Sequence, residues 1–354
     1  MKKVSFYSLL LSLLTAAIFS LVACNNTEKK PEQGKLSVVA TIYPEYAWLK
    51  EILGSRADSV DLTLLIKNGV DLHSYKPTAQ DIAKIASANM VVYVGGESDE
   101  WIKDALEASP KKDRAEINLM VALGDRVKAE EIVEGMQAEE EHHHEHAEAH
   151  EADEHEHHNE HAEKHEHHDH HEEEVENDEH VWLSLKNAEI LVQKIAAELV
   201  KIDPAHASLY NENAIDYVTK IKALDGDYRT AVESASRKTV LFGDRFPFRY
   251  LVDDYGIKYY AAFVGCSAES EASFETIAFL AGKMDSESLP AIFTIEQGNK
   301  KIADAVLAAS KNSKEAQILT INSMQSITEQ QIAEGISYLS IMQLNLDVLK
   351  KALN

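Results

Sequence analysis

The sequence predicts an α/β protein of two lobes, each a mostly parallel sheet flanked by helices, joined by one long rigid helix with a cleft between the lobes. Three observations carry this. Short β-branched runs alternate with helical stretches from residue 36 onward, the pattern of a helix-covered parallel sheet. The same alternation restarts after residue 237. Between the two blocks lies a single apolar stripe longer than one small domain is wide.

In the first block, "KLSVVATIY" (Lys35–Tyr43) reads as a strand and "PEYAWLKEILG" as a helix ending at Gly54. "SVDLTLLI" (Ser59–Ile66) is the next strand. "PTAQDIAKIASA" is a helix in which Thr78 and Asp81 have the spacing of a reciprocal N-terminal cap. "NMVVYVG" (Asn89–Gly95) and "DEWIKDALEAS" repeat the unit, and "LKNAEILVQKIAAELVKI" resumes it after an interruption. The spine follows, with Asp203 as its cap and Pro204 at its first position. Its stripe is Tyr210, Ala214, Tyr217, Ile221, Leu224, Tyr228 and Ala231. From Pro204 to Ala235 it would run about 48 Å at roughly 1.5 Å per residue, with a weak point at Gly226. The second block has strands "KTVLFG" (Lys238–Gly243), "KYYAAFV" (Lys258–Val264), "AIFTI" (Ala291–Ile295) and "AQILTI" (Ala316–Ile321), and ends in the helix "YLSIMQLNLDVLKKAL". The expected division is residues 1–23, 24–35, 36–202, 203–236 and 237–354: a signal, a tether, a first lobe, the joining helix and a second lobe. A cleft between lobes, lined by loops at the carboxyl ends of strands, is the natural ligand site.

The chain has 354 residues, 45% of them hydrophobic, and a formal charge of −25. About 18 of those charges fall in residues 139–179, which hold 19 acids and one lysine. Elsewhere the balance is only mildly acidic, and no basic footprint of a nucleic-acid binder exists. The same interval and His180 contain 15 of the 17 histidines. It lacks apolar periodicity and reads as a mobile surface insertion in the first lobe. Neutral imidazoles bind zinc, and interleaved carboxylates add an attractive field for cations. His142, His143, His144, His146, His150, His155, His157, His158, His161, His165, His167, His168, His170 and His171 are therefore read as weak, overlapping sites that collect metal. Collection should fail below roughly pH 6, where imidazoles protonate. A plain acidic spacer would need no histidine.

"MKKVSFYSLLLSLLTAAIFSLVAC" is an export signal: two lysines, an apolar run, then a small residue before Cys24. Its end resembles a bacterial lipobox, which implies cleavage before Cys24 and lipid on its sulfur. A plain signal peptide or a membrane helix is the alternative. The only other cysteine is Cys266, so lipidation would leave no intrachain disulfide.

Outside the run, His206 lies in the first turn of the spine and reads as solvated. His73, in "NGVDLHSYKPTAQD", follows a strand and precedes a capped helix, on a loop at the carboxyl edge of the first sheet. A loop histidine of this kind is either a surface hydrogen-bonding residue or a ligand. His180, in "NDEHVWLSL", stands where the chain re-enters the core, or is the last member of the run.

These motifs together resemble the zinc/manganese-binding solute-binding lipoproteins of bacterial ABC importers, and their zinc-uptake branch in particular. "GVDLHSYKPTAQD" is similar to the family's glycine-x-aspartate-x-histidine-x-tyrosine motif, and "DEHVWLSL" to its histidine-x-tryptophan motif. "VVATIYP", "DPAHASLYNENAIDYVTKIKALD" and the final helix look like the family's first strand, inter-lobe helix and last helix. The resemblance implies metal between the lobes, with His73 and His180 matching the first two ligands. It also implies a monomer anchored on the extracytoplasmic membrane face that hands its ion to an ABC permease. Two departures stand out. Where the family has a third His or Glu ligand, "LFGDRFPFRY" places Gly243; where it has a late acidic ligand, "LTINSMQSI" offers Asn322. Zinc wants about four ligands, so others must complete the set. Asp244 is the first candidate, with pairing to Arg245 or helix capping as its bland reading. Glu296, in "FTIEQGNKK", is the second; the resemblance gives a Glu there an orienting role behind a ligand. Cys266 is a softer donor that reads equally as a small buried residue.

No His-Glu-x-x-His, nucleophile elbow, P-loop or dinucleotide fingerprint occurs, so the sequence predicts no enzyme. The alternatives are a metal buffer or adhesin lipoprotein without a transporter, or manganese in place of zinc. Manganese prefers oxygen-rich octahedral sites, against which two imidazoles and the histidine run argue.

Overall fold

The computed structural model describes residues 35–137, 176–267, 271–311 and 316–354. The signal, Cys24 and nearly all of the tether lie outside them, as do the fourteen histidines from His142 to His171. Residues 37–354 form one compact unit.

The first sheet contains β1 (Ser37–Ala40), β2 (Asp61–Leu64), β3 (Met90–Tyr93) and β4 (Ala115–Asn118), all parallel, in the order β2-β1-β3-β4. The second contains β5 (Thr239–Phe246), β6 (Lys258–Val264), β7 (Ala291–Ile295) and β8 (Gln317–Ile321), also parallel, in the order β6-β5-β7-β8. Val38, Val39, Ala40 and all of β7 are buried rather than alternating. Helices cover both faces of a parallel sheet, so its central strands read as continuous apolar runs. The predicted fold class is the one observed.

Helix α1 (Tyr43–Leu53) follows β1, and α2 (Ala79–Ser87) follows β2 after a loop. Thr78 and Asp81 cap α2 reciprocally: Asp81 N–H donates to Thr78 Oγ1 at 3.3 Å and Thr78 N–H to Asp81 Oδ2 at 3.0 Å. Helices α3 (Glu100–Ala108), α4 (Leu119–Leu123) and α5 (Leu185–Ile202) complete the first lobe. The spine, α6 (Ala207–Glu233), has 27 residues and so runs about 40 Å. It packs against α1 and α5 near one end and against the last helix near the other. Asn213 Nδ2 donates to Ile52 O at 3.0 Å in the first lobe, and Tyr228 O–H to Met342 O at 2.6 Å in the second. The helix passes unbroken through Gly226.

Two local expectations are corrected. Pro204–His206 form a separate 3₁₀ turn, and Asp203 does not cap the spine through backbone N–H groups. Its carboxylate instead accepts from Tyr210 O–H (2.6 Å) and faces His206 Nδ1 (2.9 Å). Strand β5 does not stop at Gly243 but continues to Phe246, with a register shift between Phe242 and Arg245 where it pairs with β6. The bulge changes which side chains face the cleft beyond Phe242.

In the second lobe, α7 (Arg249–Tyr255), α8 (Phe274–Glu287) and α9 (Lys301–Ala309) alternate with the strands, followed by α10 (Glu329–Ala333) and α11 (Tyr338–Leu353). The lobes share a buried seam. Trp48 and Tyr338 meet edge to face at 5.3 Å, and Tyr338 O–H donates to Trp182 O at 2.7 Å. No helix among the described residues is long and apolar enough to cross a membrane.

Candidate metal centre

The loops after the strands' carboxyl ends meet across the seam. Asp71 starts the turn that carries His73: its Oδ1 accepts His73 N–H at 3.0 Å, and buried Leu72 pins the turn. The loop after β3 supports the imidazole from behind. Asp99 shapes that loop by accepting Val94 N–H (2.7 Å) and Gly95 N–H (2.8 Å). Burial, reinforced by the Glu179 carboxylate, pushes Asp99 up to about 7. Ser98 Oγ lies 2.6 Å from His73 Nδ1, and Ser98 N–H donates to Glu179 Oε1 at 2.8 Å.

His180 precedes the 3₁₀ turn Val181–Leu183 and is fully buried. It donates its backbone N–H and its Nδ1–H to Asp178 Oδ1, at 2.8 and 2.9 Å. Tyr250 O–H donates to Asp178 O at 2.8 Å, and Trp182 Nε1–H to Ser323 O at 2.8 Å, so the second lobe holds this first-lobe loop at two points. A carboxylate on Nδ1 fixes the tautomer and leaves the Nε2 lone pair free, the usual support of a ligating imidazole.

With both Nδ1 atoms engaged, His73 Nε2 and His180 Nε2 face each other at 3.1 Å. The Ser98 hydroxyl can donate to His73 Nδ1, which puts the His73 proton on Nε2 and bridges it to the bare Nε2 of His180; a metal ion between the two nitrogens takes the place of that proton. Gln325 adds to the crowding. With its amide turned so that nitrogen faces Asp71 Oδ1 and Oδ2 (3.2 and 2.8 Å), its oxygen lies 2.5 Å from His180 Nε2. Asp71 thus orients His73 and Gln325, and its Oδ2 also pairs with the guanidinium of Arg245 across the seam.

Among the described residues, the group of His, Cys, Asp and Glu whose ligand atoms lie within 4.8 Å of one another is His73, His180 and Cys266. Asp244 and Glu296 are outside it. Asp244 Oδ1 accepts Arg245 N–H at 2.9 Å, and its Oδ2 accepts Ile295 N–H at 3.2 Å. It borders a 580 Å³ cavity that reaches His73, and burial raises its carboxyl. Glu296 accepts Ser323 N–H (2.6 Å), Ser323 Oγ–H (2.7 Å) and Gln325 N–H (3.2 Å), so it ties down the late loop rather than facing the imidazoles. Asn322 turns back to accept Met324 N–H at 2.8 Å. Gln325, missed in the sequence, is the side chain of that loop that reaches the site. The preference of Asn for bonding its own backbone two residues on was the available signal against Asn322.

Gly243 has no room for a ligand. A Cβ there would lie 2.8 Å from Ala303 Cα and 2.8 Å from Ile292 Cδ1, against α9. Gly243→Ala is expected to destabilise the fold by about 1–3 kcal/mol, the usual cost of overpacking, without strengthening zinc binding. Thermal melts and zinc titration of this variant check both parts.

Burial, then His180, hold His73 well below the usual imidazole range, so it stays neutral in the metal-free protein. In the unfolded chain it takes a proton near pH 6.5. Between that value and the lower folded one, the unfolded state binds more protons, so stability falls as pH falls. From pH 7.5 to 5.5 the loss is about 1.4 kcal/mol. Metal-free His73→Gln should lack this part of the acid sensitivity in denaturant titrations at the two pH values.

Residues 38–352 match the family model described as ZnuA, zinc-uptake complex component A periplasmic. The high-affinity zinc uptake system protein ZnuA of Bacillus subtilis is 32% identical over 343 residues, covering 96% of this chain and 95% of that protein. The zinc-binding lipoprotein AdcA of Streptococcus pneumoniae is 32% identical over 353 residues, covering 99% of this chain. The chain spans only 61% of the length of that streptococcal relative. The crystal structure of the Zn(II)-bound ZnuA-like domain of AdcA superposes with a TM-score of 0.64 at 27% identity, over 90% of this chain and 99% of that domain. On the match across nearly all of residues 38–352 and the identity to a full-length relative, this chain belongs to the ZnuA family of zinc-uptake components.

Proposed function

We propose that this chain is the extracytoplasmic zinc receptor of an ABC importer. It takes one zinc ion between His73 and His180 and presents it to the membrane permease. The observation that carries this reading is that buried His180 and half-buried His73 face each other through Nε2 at 3.1 Å while their Nδ1 atoms are engaged. Imidazole nitrogens suit zinc better than manganese, which favours oxygen donors. Asp71, Asp178 and Glu179 add negative charge around a cation. The chain binds and releases its ion and performs no turnover. Lipid on Cys24 would keep it at the extracytoplasmic face of the cell membrane, and the histidines between His142 and His171 would raise the zinc concentration at the cleft.

In a strain lacking this protein and grown in zinc-chelated medium, the full chain should restore growth. His73→Ala/His180→Ala should not, and neither should the wild type once the permease is deleted. Rescue by the double variant would contradict the reading.

A further inference from the structure

We propose that Cys266 Sγ, bound as thiolate, is the third protein ligand of the cleft metal. The inference rests on the zinc-receptor reading above and assigns the donor that Gly243 cannot supply. The thiol lies in the turn after β6, and all three ligand atoms of His73, His180 and Cys266 fall within 4.8 Å of one another. Tetrahedral zinc with Zn–N of about 2.0–2.1 Å and Zn–S of about 2.3 Å places such atoms roughly 3.3–3.6 Å apart. The group therefore needs shifts of only about 1 Å to close on an ion.

The backbone is built for this approach. A Cβ on Gly265 would lie 2.9 Å from His180 Cε1, so only glycine lets the turn press against the imidazole and deliver Cys266 beside it. Cys266 N–H donates to Glu130 Oε1 at 3.3 Å, and the thiol also hydrogen-bonds to the Glu130 side chain, so one carboxylate fixes the turn and faces the proton that metal binding displaces. Two other potential donors are committed: Asp244 to backbone N–H groups, and Glu296 to the late loop. The surroundings also hold a carboxylate oxygen awaiting positive charge. Glu179 is 3% exposed, and its buried Oε2 accepts no hydrogen bond while lying 3.8 Å from His73 Nδ1. When zinc enters, a Zn–S bond forms, the S–H bond breaks and the proton leaves to solvent, with no change of oxidation state.

The test uses Co(II) as a probe on the full chain carrying Cys24→Ser, which leaves Cys266 as the only sulfhydryl. One equivalent should produce a thiolate-to-cobalt charge-transfer band in the near ultraviolet, which the histidine run cannot generate. The band should vanish in Cys266→Ser and in His73→Ala/His180→Ala. In chelator competition, Cys266→Ser should weaken the tight zinc site by more than the roughly 10- to 100-fold that losing an outer hydrogen-bond partner costs. Absence of the band, with a tight zinc site that still depends on His73 and His180, would overturn the assignment and leave the receptor reading intact. A band that survives loss of both histidines would also overturn it. Tight zinc indifferent to both histidines would instead overturn the receptor reading. The presence or absence of the band is read first on protein that keeps His73, His180 and Cys266, and circular dichroism of the variants checks that they are folded.

Discussion

Replacing His73 and His180 together by alanine is expected to abolish tight zinc binding in the cleft. Structural zinc sites with about four ligands are worth roughly 10–16 kcal/mol near neutral pH, and two lost imidazoles forfeit on the order of half of that. The expected loss is therefore at least about a thousandfold in affinity. The fold should survive. His73 sits on a loop turn, and the backbone N–H of residue 180, which alanine keeps, still holds Asp178 Oδ1. Circular dichroism and a melting curve on the double variant separate loss of site from loss of structure.

The second large effect concerns Trp182. It is fully buried two residues after His180, and it connects three parts of the site. Its Nε1–H holds Ser323 O in the late loop, its own carbonyl accepts Tyr338 O–H from α11, and its ring lies 5.2 Å from the His180 ring. Trp182→Ala should cost about 3–5 kcal/mol, the range for emptying a large buried aromatic. It should also weaken zinc, because the cavity frees His180 and the loop that carries Gln325. Trp182→Phe keeps most of the packing and loses only the indole N–H. It should retain most of the stability while leaving Ser323 O without that donor. Denaturant melts and zinc titration on the two variants distinguish packing from hydrogen bonding.

How far the sequence revealed this molecule follows from the range of the interactions involved. Helix α5 was legible to the residue, because its apolar period is local. The Thr78–Asp81 cap was legible for the same reason. His73 stood out by its place between a strand and a capped helix, His180 by the apolar Val181, Trp182 and Leu183 that follow it, and both by the motifs they share with the family. The start of the spine was misread because Asp203 is occupied by Tyr210, about two turns on, and not by the backbone. Gln325 could not be found from its neighbours, since its orientation depends on Asp71 in the other lobe. Nor could the local sequence show that α9 fills the space beside Gly243. Asp244 and Glu296 were selected for charge and strand position, and the structure commits both to holding loops.

The most direct test is a chelator-competition zinc titration of the mature chain, of a form lacking residues 139–177, and of that shortened form with His73→Ala/His180→Ala. One tight zinc retained without the segment, and lost with the two histidines, is the predicted result. Tight binding that disappears with the segment alone would contradict it, and would make the histidine run the binding site.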